Sequence, residues 1–209
     1  MTRRTIQWAA GLVASALISV GASAQDGSVD RLWTLIDGQS QASGSFEQTI
    51  FGPDGERFED SSGEYAILRP SFFRWQVTDP DEQLIIANST ELWHYDVELA
   101  TATKRAVDPD VLTPLALLAG RSSELKERFQ ADVVAGNRYR LTPLYPGAGF
   151  ASVEVAWEDG RVTDLAVTDR SGQRIVLNLS PNDAPEALSP QDFQFTPPAG
   201  VDVFDAIEP

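Results

Sequence analysis

Residues 68–96 read LRPSFFRWQVTDPDEQLIIANSTELWHYD. Three apolar runs stand in this stretch: Phe73, Trp75 and Val77; Leu84 and Ile86; Leu92, Trp93 and Tyr95. Between them lie Asp79-Pro80-Asp81-Glu82 and Asn88-Ser89-Thr90, and Arg69-Pro70-Ser71 opens the series. Alternation at period two, in runs too short for an amphipathic helix and separated by turn-forming residues, specifies consecutive antiparallel strands. The same pattern extends upstream through Phe46, Phe58, Tyr65 and Ile67, with the turn Gly52-Pro53-Asp54-Gly55 between them. It returns downstream in Tyr139-Leu141, Val153-Val155-Trp157, Val162-Leu165-Val167 and Ile175-Leu177-Leu179, with hairpin signals at Gly136-Asn137, Glu158-Asp159-Gly160 and Ser171-Gly172.

Helical spacing appears in three places. Val29, Leu32, Trp33 and Ile36 predict a helix over about 28–40, with Asp26 or Ser28 available as N-cap. Val111, Leu112, Leu115, Leu117 and Leu118, closed by Gly120, predict a short apolar helix. A third follows over about 122–129, capped by Ser122 or Ser123. The order is helix, many strands, two helices, more strands, and no linker divides it into separate domains. A Pro-rich tail follows Pro181 and holds one more strand candidate, Phe193–Thr196.

The first 24 residues have a different composition. Arg3 and Arg4 precede an apolar run from Trp8 to Val20, and Ala22-Ser23-Ala24 forms a small-x-small triplet before Gln25. This is the plan of a secretory signal peptide cleaved after Ala24, leaving 25–209 as one domain. The run is shorter than the roughly 20 residues needed to span a bilayer. The chain carries 16 Lys and Arg against 31 Asp and Glu, net −15. Loss of Arg3 and Arg4 leaves 14 basic against 31 acidic residues, −17. Such a chain repels phosphate backbones, so nucleic acid is not an expected partner. There is no cysteine, which rules out disulfides, thiol catalysis and lipid attachment at an N-terminal Cys. An exported protein without disulfides fits a bacterial periplasm.

The sequence holds no complete catalytic constellation. Ser123-Glu124-Leu125-Lys126 matches S-x-x-K, but the companion motifs of acyl enzymes are missing, and a helix start with an exposed lysine explains it. His94 is the one histidine, opposite in alternation to Trp93 and Tyr95, with no second ligand beside it. Asp79, Asp81 and Glu82 lack the glycine and distal glutamate of a calcium loop. Neither enzyme chemistry, nor a metal, nor a cofactor is expected. A sheet of about ten strands tends to curl, and its concave side must be filled. Either the aromatics fill it as an ordinary core, or an apolar chamber remains for a ligand.

Five motifs in order go further: Gly44-Ser45-Phe46-Glu47-Gln48, Arg69-Pro70-Ser71-Phe72-Phe73-Arg74-Trp75, Pro80, Gln83, and Leu92-Trp93-His94-Tyr95-Asp96 with Leu99. Together they resemble the periplasmic outer-membrane lipoprotein carrier family, LolA. Asn88-Ser89-Thr90 replaces the Asp-Gly turn usual there. The resemblance implies a half-open antiparallel barrel of about eleven strands, capped by three short helices, whose apolar cavity receives lipoprotein acyl chains. It implies a monomeric carrier that takes cargo from an inner-membrane ABC transporter and hands it to an outer-membrane receptor. A barrel of this type for another lipid or hydrophobic cargo is the alternative. The expected cavity wall is Phe46, Phe73, Trp75, Leu84, Ile86, Trp93 and Tyr95, with Trp33, Leu112 and Leu115 from the lids. Alternation does not settle which face of each strand is concave. Arg69, by itself a solvent-facing arginine at a strand end, becomes by resemblance a latch bonding to the lid helices in the empty form.

Overall fold

The computed structural model describes residues 21–107, 114–183 and 186–206. The expected signal segment lies almost wholly outside them, and the first described element is helix α1, Gly21–Gly38. This helix starts earlier than the apolar spacing predicts, because Ala22, Ser23 and Ala24 include strong helix formers and nothing there stops a helix. The expected cleavage point after Ala24 therefore falls within its first turns. Leu32, Trp33 and Ile36 are buried on one face, as their spacing requires.

Six strands follow: β1 Gln41–Phe51, β2 Arg57–Leu68, β3 Phe72–Asp79, β4 Gln83–Ala87, β5 Glu91–Asp96 and β6 Thr101–Ala106. Two short helices, α2 Pro114–Ala119 and α3 Ser122–Arg128, lead into β7 Phe129–Ala135, β8 Arg138–Pro143, β9 Phe150–Glu158, β10 Arg161–Asp169 and β11 Arg174–Pro181. The tail adds β12, Asp202–Asp205. Within β1–β6 and within β7–β11, sequence neighbours pair antiparallel as a meander. The two meanders join where β1 pairs β11, with Phe46 opposite Leu179. The sheet order is β12-β6-β5-β4-β3-β2-β1-β11-β10-β9-β8-β7, and its two end strands do not pair with each other. The result is the curled, unclosed barrel expected, with a twelfth strand from the tail.

Two glycines let the sheet coil tightly near this junction. A Cβ on Gly44 would lie 2.2 Å from the Ser180 carbonyl oxygen, and one on Gly63 would lie 1.9 Å from that of Gln76. No other residue fits without moving backbone. Phe46, directly across from Gly63, covers the bare backbone with its ring.

The tail departs from expectation. Phe193–Thr196 is not a strand. Pro190–Phe193 forms a single 3-10 turn, in which the Asp192 carboxylate accepts from both the N–H and the hydroxyl of Ser189, at 2.7 and 2.8 Å. Pro190 has no N–H to lose at the first position, and Asp192 reaches back to the cap. These bonds hold the Asp192 carboxyl below its ordinary range. The added strand is instead β12, which pairs parallel to β6.

Both faces of the sheet carry apolar clusters. The larger lies on the concave side, between the sheet and α1, α2 and α3. The smaller lies on the convex side of β3–β6, where Ile86, Trp93 and Ala102 are covered by Phe193.

Candidate functional site

The concave face and the helices over it form the candidate site. Its floor comes from both meanders: Phe46, Tyr65, Trp75 and the partly buried Phe73 from the first, and Leu141, Val155, Trp157, Leu165 and Leu177 from the second. Phe46 and Trp75 stack with ring centroids 3.8 Å apart and an angle of 23° between planes. Burial pushes the Tyr65 hydroxyl up to about 12, so it stays protonated. The lids bring Trp33 and Ile36 from α1, Leu117 and Leu118 from α2, and Leu125 from α3.

The lids sit down on this floor. Among the described residues, cavities of about 20 and 10 Å³ lie beneath them. That is room for about one water each, far less than a longer apolar ligand fills. In this conformation the lid side chains pack directly on the apolar floor.

Arg69 lies at the point where the lids meet the sheet and borders both cavities. Its Nη1 donates to the Ile36 carbonyl at 2.7 Å and to the Gly120 carbonyl at 3.4 Å. Those carbonyls belong to the last turn of α1 and to the residue after α2. Helix C-termini expose unpaired carbonyls with partial negative charge, and a guanidinium satisfies them. Burial lowers the Arg69 pKa to about 10 against the opposing field of Asp37, so the side chain remains charged at neutral pH. Main-chain bonds strengthen the junction: Arg69 N–H to the Ser40 carbonyl at 2.9 Å, and Ser71 N–H to that of Ala119 at 3.1 Å.

A second tie joins the lids to each other. Ser122 or Ser123 is the cap the sequence predicts, yet α3 has Arg121 as its N-cap residue, with no side-chain capping bond. The Ser122 hydroxyl instead donates to Asp37 at 2.6 Å, with its N–H at 3.4 Å from the same carboxylate. Lys126, expected to be simply exposed, lies with its Nζ 5.7 Å from the Trp33 ring centroid, a cation–π contact that adds to the α1–α3 junction.

Placement of the other expected residues divides by strand. Phe46, Phe73, Trp75 and Trp33 are on the concave side. Leu84, Ile86, Trp93 and Tyr95 are not. Register puts Ile85 opposite Trp75 and Ala87 opposite Phe73, while Leu84 and Ile86 pair with Tyr95 and Trp93 on the convex side. There Trp93 and Tyr95 pack edge-on or tilted against Phe195 from the tail. Leu112 lies outside the described residues, as does the side chain of Leu115 in α2. His94 faces the concave side of β5 but is exposed, with Nε2 3.4 Å from Gln83 Oε1. Sequence reasoning nominated no wall residue from β7–β11. Their alternation was visible, but nothing in it says that the two meanders share one concavity. Asp37 and Ser122, 85 residues apart, left no sequence signal at all.

Comparison with known proteins shows the family. The family model "Outer membrane lipoprotein carrier protein LolA" matches residues 37–196. An outer-membrane lipoprotein carrier protein from Bordetella avium is 34% identical over 97% of this chain and 99% of its own length. One from Chromohalobacter salexigens is 28% identical over 96% and 97%. Among solved structures, a LolA superfamily protein from Nitrosomonas europaea is similar with a TM-score of 0.49 and 13% identity, over 79% of this chain and 97% of that one. With its curled open sheet, its lidded apolar floor and a match spanning most of its length, this chain belongs to the outer-membrane lipoprotein carrier family, LolA.

Proposed function

We propose that this protein carries lipoproteins by holding their acyl chains on the concave face of its sheet. The single observation that carries the reading is a continuous apolar floor covered by three helices, with one arginine of the sheet bonded to the backbone carbonyls at the ends of two of them. A ligand chamber needs a cover that can lift and return. Each methylene taken out of water is worth ~0.8 kcal/mol, so a multiply acylated protein does not cross an aqueous space unaided at a useful rate. Non-directional contacts with aromatic and branched side chains suit cargoes that differ in sequence but share acyl chains.

In this reading residues 1–24 direct export and are removed after Ala24, and the mature protein works in the periplasm. An inner-membrane ABC transporter supplies the energy of extraction, and an outer-membrane receptor takes the cargo. The carrier contributes a reversible binding cavity and no catalysis. Arg69 is the latch: its bonds exist only when the lids are down, so they favour the empty state and hence release.

Depleting the protein from its host and fractionating the membranes tests the reading. Lipoproteins of the outer membrane should accumulate in the inner membrane, and mass spectrometry of the purified carrier should find acylated N-termini bound. Normal sorting after depletion, or a bound lipid of some other class, would refute it.

A further inference from the structure

Among the described residues, two buried polar side-chain atoms have no hydrogen-bond partner: the Tyr139 hydroxyl and the Trp157 indole N–H. Tyr139 is completely buried and Trp157 is 4% exposed. Such orphans are uncommon, because a polar atom taken from water without a new partner loses the whole of its hydration. Trp93, on the convex face, shows the ordinary case, donating its N–H to Glu91 at 3.3 Å.

The two orphans are close together in the sheet. Tyr139 on β8 lies directly opposite Val155 on β9, and Trp157 is two residues further along β9. They are therefore diagonal neighbours on one face of adjacent strands. That face is the concave one, and Trp157 lines the larger cavity together with Leu117 and Leu118 of α2. Apart from Arg69, every other residue lining that cavity is aliphatic.

The chemistry of the pair selects its partner. An indole N–H only donates, and a hydroxyl donates as readily as it accepts. Both are thus served by one acceptor oxygen. Hydrocarbon offers none, whereas an acyl chain joined through an ester or amide carries a carbonyl at its head. We infer that Tyr139 and Trp157 form a carbonyl-binding subsite, which holds the ester or amide carbonyl of an acyl chain once the α2 lid has lifted. This deepens the carrier reading and rests on it. The subsite makes the chamber selective for acyl esters and amides over plain hydrocarbon, and it fixes how deep the head of a chain sits. It also accounts for the orphans: hydration is given up in the empty state and recovered on loading.

The test uses the mature full-length protein and two probes of different chemistry. One is a synthetic lipopeptide with three acyl chains on an N-terminal cysteine. The other is diphenylhexatriene, a hydrocarbon without a carbonyl. Tyr139→Phe should weaken lipopeptide binding about three- to tenfold, the value of one hydrogen bond between neutral groups. It should leave diphenylhexatriene affinity within about twofold. Its melting temperature when empty should equal or exceed that of the parent, because an unpaired buried hydroxyl has been removed. Equal lipopeptide binding by parent and Tyr139→Phe, or proportionate weakening of both probes, would overturn the subsite and leave the carrier reading standing. Failure of the parent to bind lipopeptide while binding diphenylhexatriene would overturn both.

Discussion

Arg69 gives the sharpest consequence of any single side chain. Replacing it by Leu leaves the Ile36 and Gly120 carbonyls without their donor and removes a charge from between two helix ends. Charge-assisted bonds are worth about 1.5–3 kcal/mol, so the ratio of open to closed molecules should rise by roughly one to two decades. Arg69→Leu should therefore load acyl cargo normally but pass it to an acceptor at a rate at least tenfold lower, measured by transfer between purified proteins. Lys should rescue only in part, because its ammonium is more strongly hydrated than a guanidinium and loses more on burial. Wild-type transfer by Arg69→Leu would dismiss the latch. Phe73 offers the complementary case. Phe73→Glu places a charge on the apolar floor, so lipid co-purification should be lost at unchanged yield of folded protein. A fully loaded Phe73→Glu variant would remove Phe73 from the wall. The position of Arg69 was legible through its motif, but its acceptors were not, since main-chain carbonyls have no residue identity.

Strands β4 and β5 show why half of the expected wall was misplaced. Period-two alternation identifies a strand by its contrast between faces, and in β4 both faces are apolar: Ile85 and Ala87 on one side, Leu84 and Ile86 on the other. Strand β5 follows β4 through its register, with Trp93 and Tyr95 opposite Ile86 and Leu84. A strand buried on both faces gives no sign of which one is concave. The missing information lay far along the chain, in the tail that brings Phe193 and Phe195 to the convex side. The tail is thus part of the structure and not a loose end. Phe193 is 1% exposed, and Phe193→Ala should destabilise the protein by about 3 kcal/mol, read from chemical denaturation. Acyl binding by the folded fraction should persist, because the concave side is untouched. A change below about 0.5 kcal/mol, the size of an ordinary surface substitution, would show that the tail does not hold that face. The helices teach the opposite lesson. The apolar spacing of Leu32, Trp33 and Ile36 was sufficient to identify α1 and its buried face, since a helix on a sheet buries one stripe.

For the molecule as a whole, net charge and the seam between its halves matter most. At −15 for the full sequence, its field attracts basic partner surfaces over the ~8–10 Å allowed by physiological salt. Association with a basic partner should slow several-fold between low and physiological ionic strength while dissociation changes little; stopped-flow association rates independent of salt would end that expectation. The fold class was legible because a meander is a local pattern, repeated turn by turn. The pairing that joins the two meanders, β1 with β11, is not local and was not legible. It joins Phe51 to Arg174 and Gly44 to Pro181, separations of 123 and 137 residues. That seam has a kinetic meaning. Each meander can assemble from neighbours, but the barrel exists only once this long loop has closed, and long closures are what folding waits for. A substitution at the seam such as Gly44→Val, whose side chain would strike the Ser180 carbonyl, should act mainly by slowing refolding. Loss of the Phe193 contact should act mainly by hastening unfolding. Refolding of Gly44→Val at the parent rate would place the seam after the barrier. Because a chain emerges N-terminus first, β1 must wait with a bare edge until β11, the last long strand, arrives. During that interval it is the newborn carrier that needs protection from aggregation.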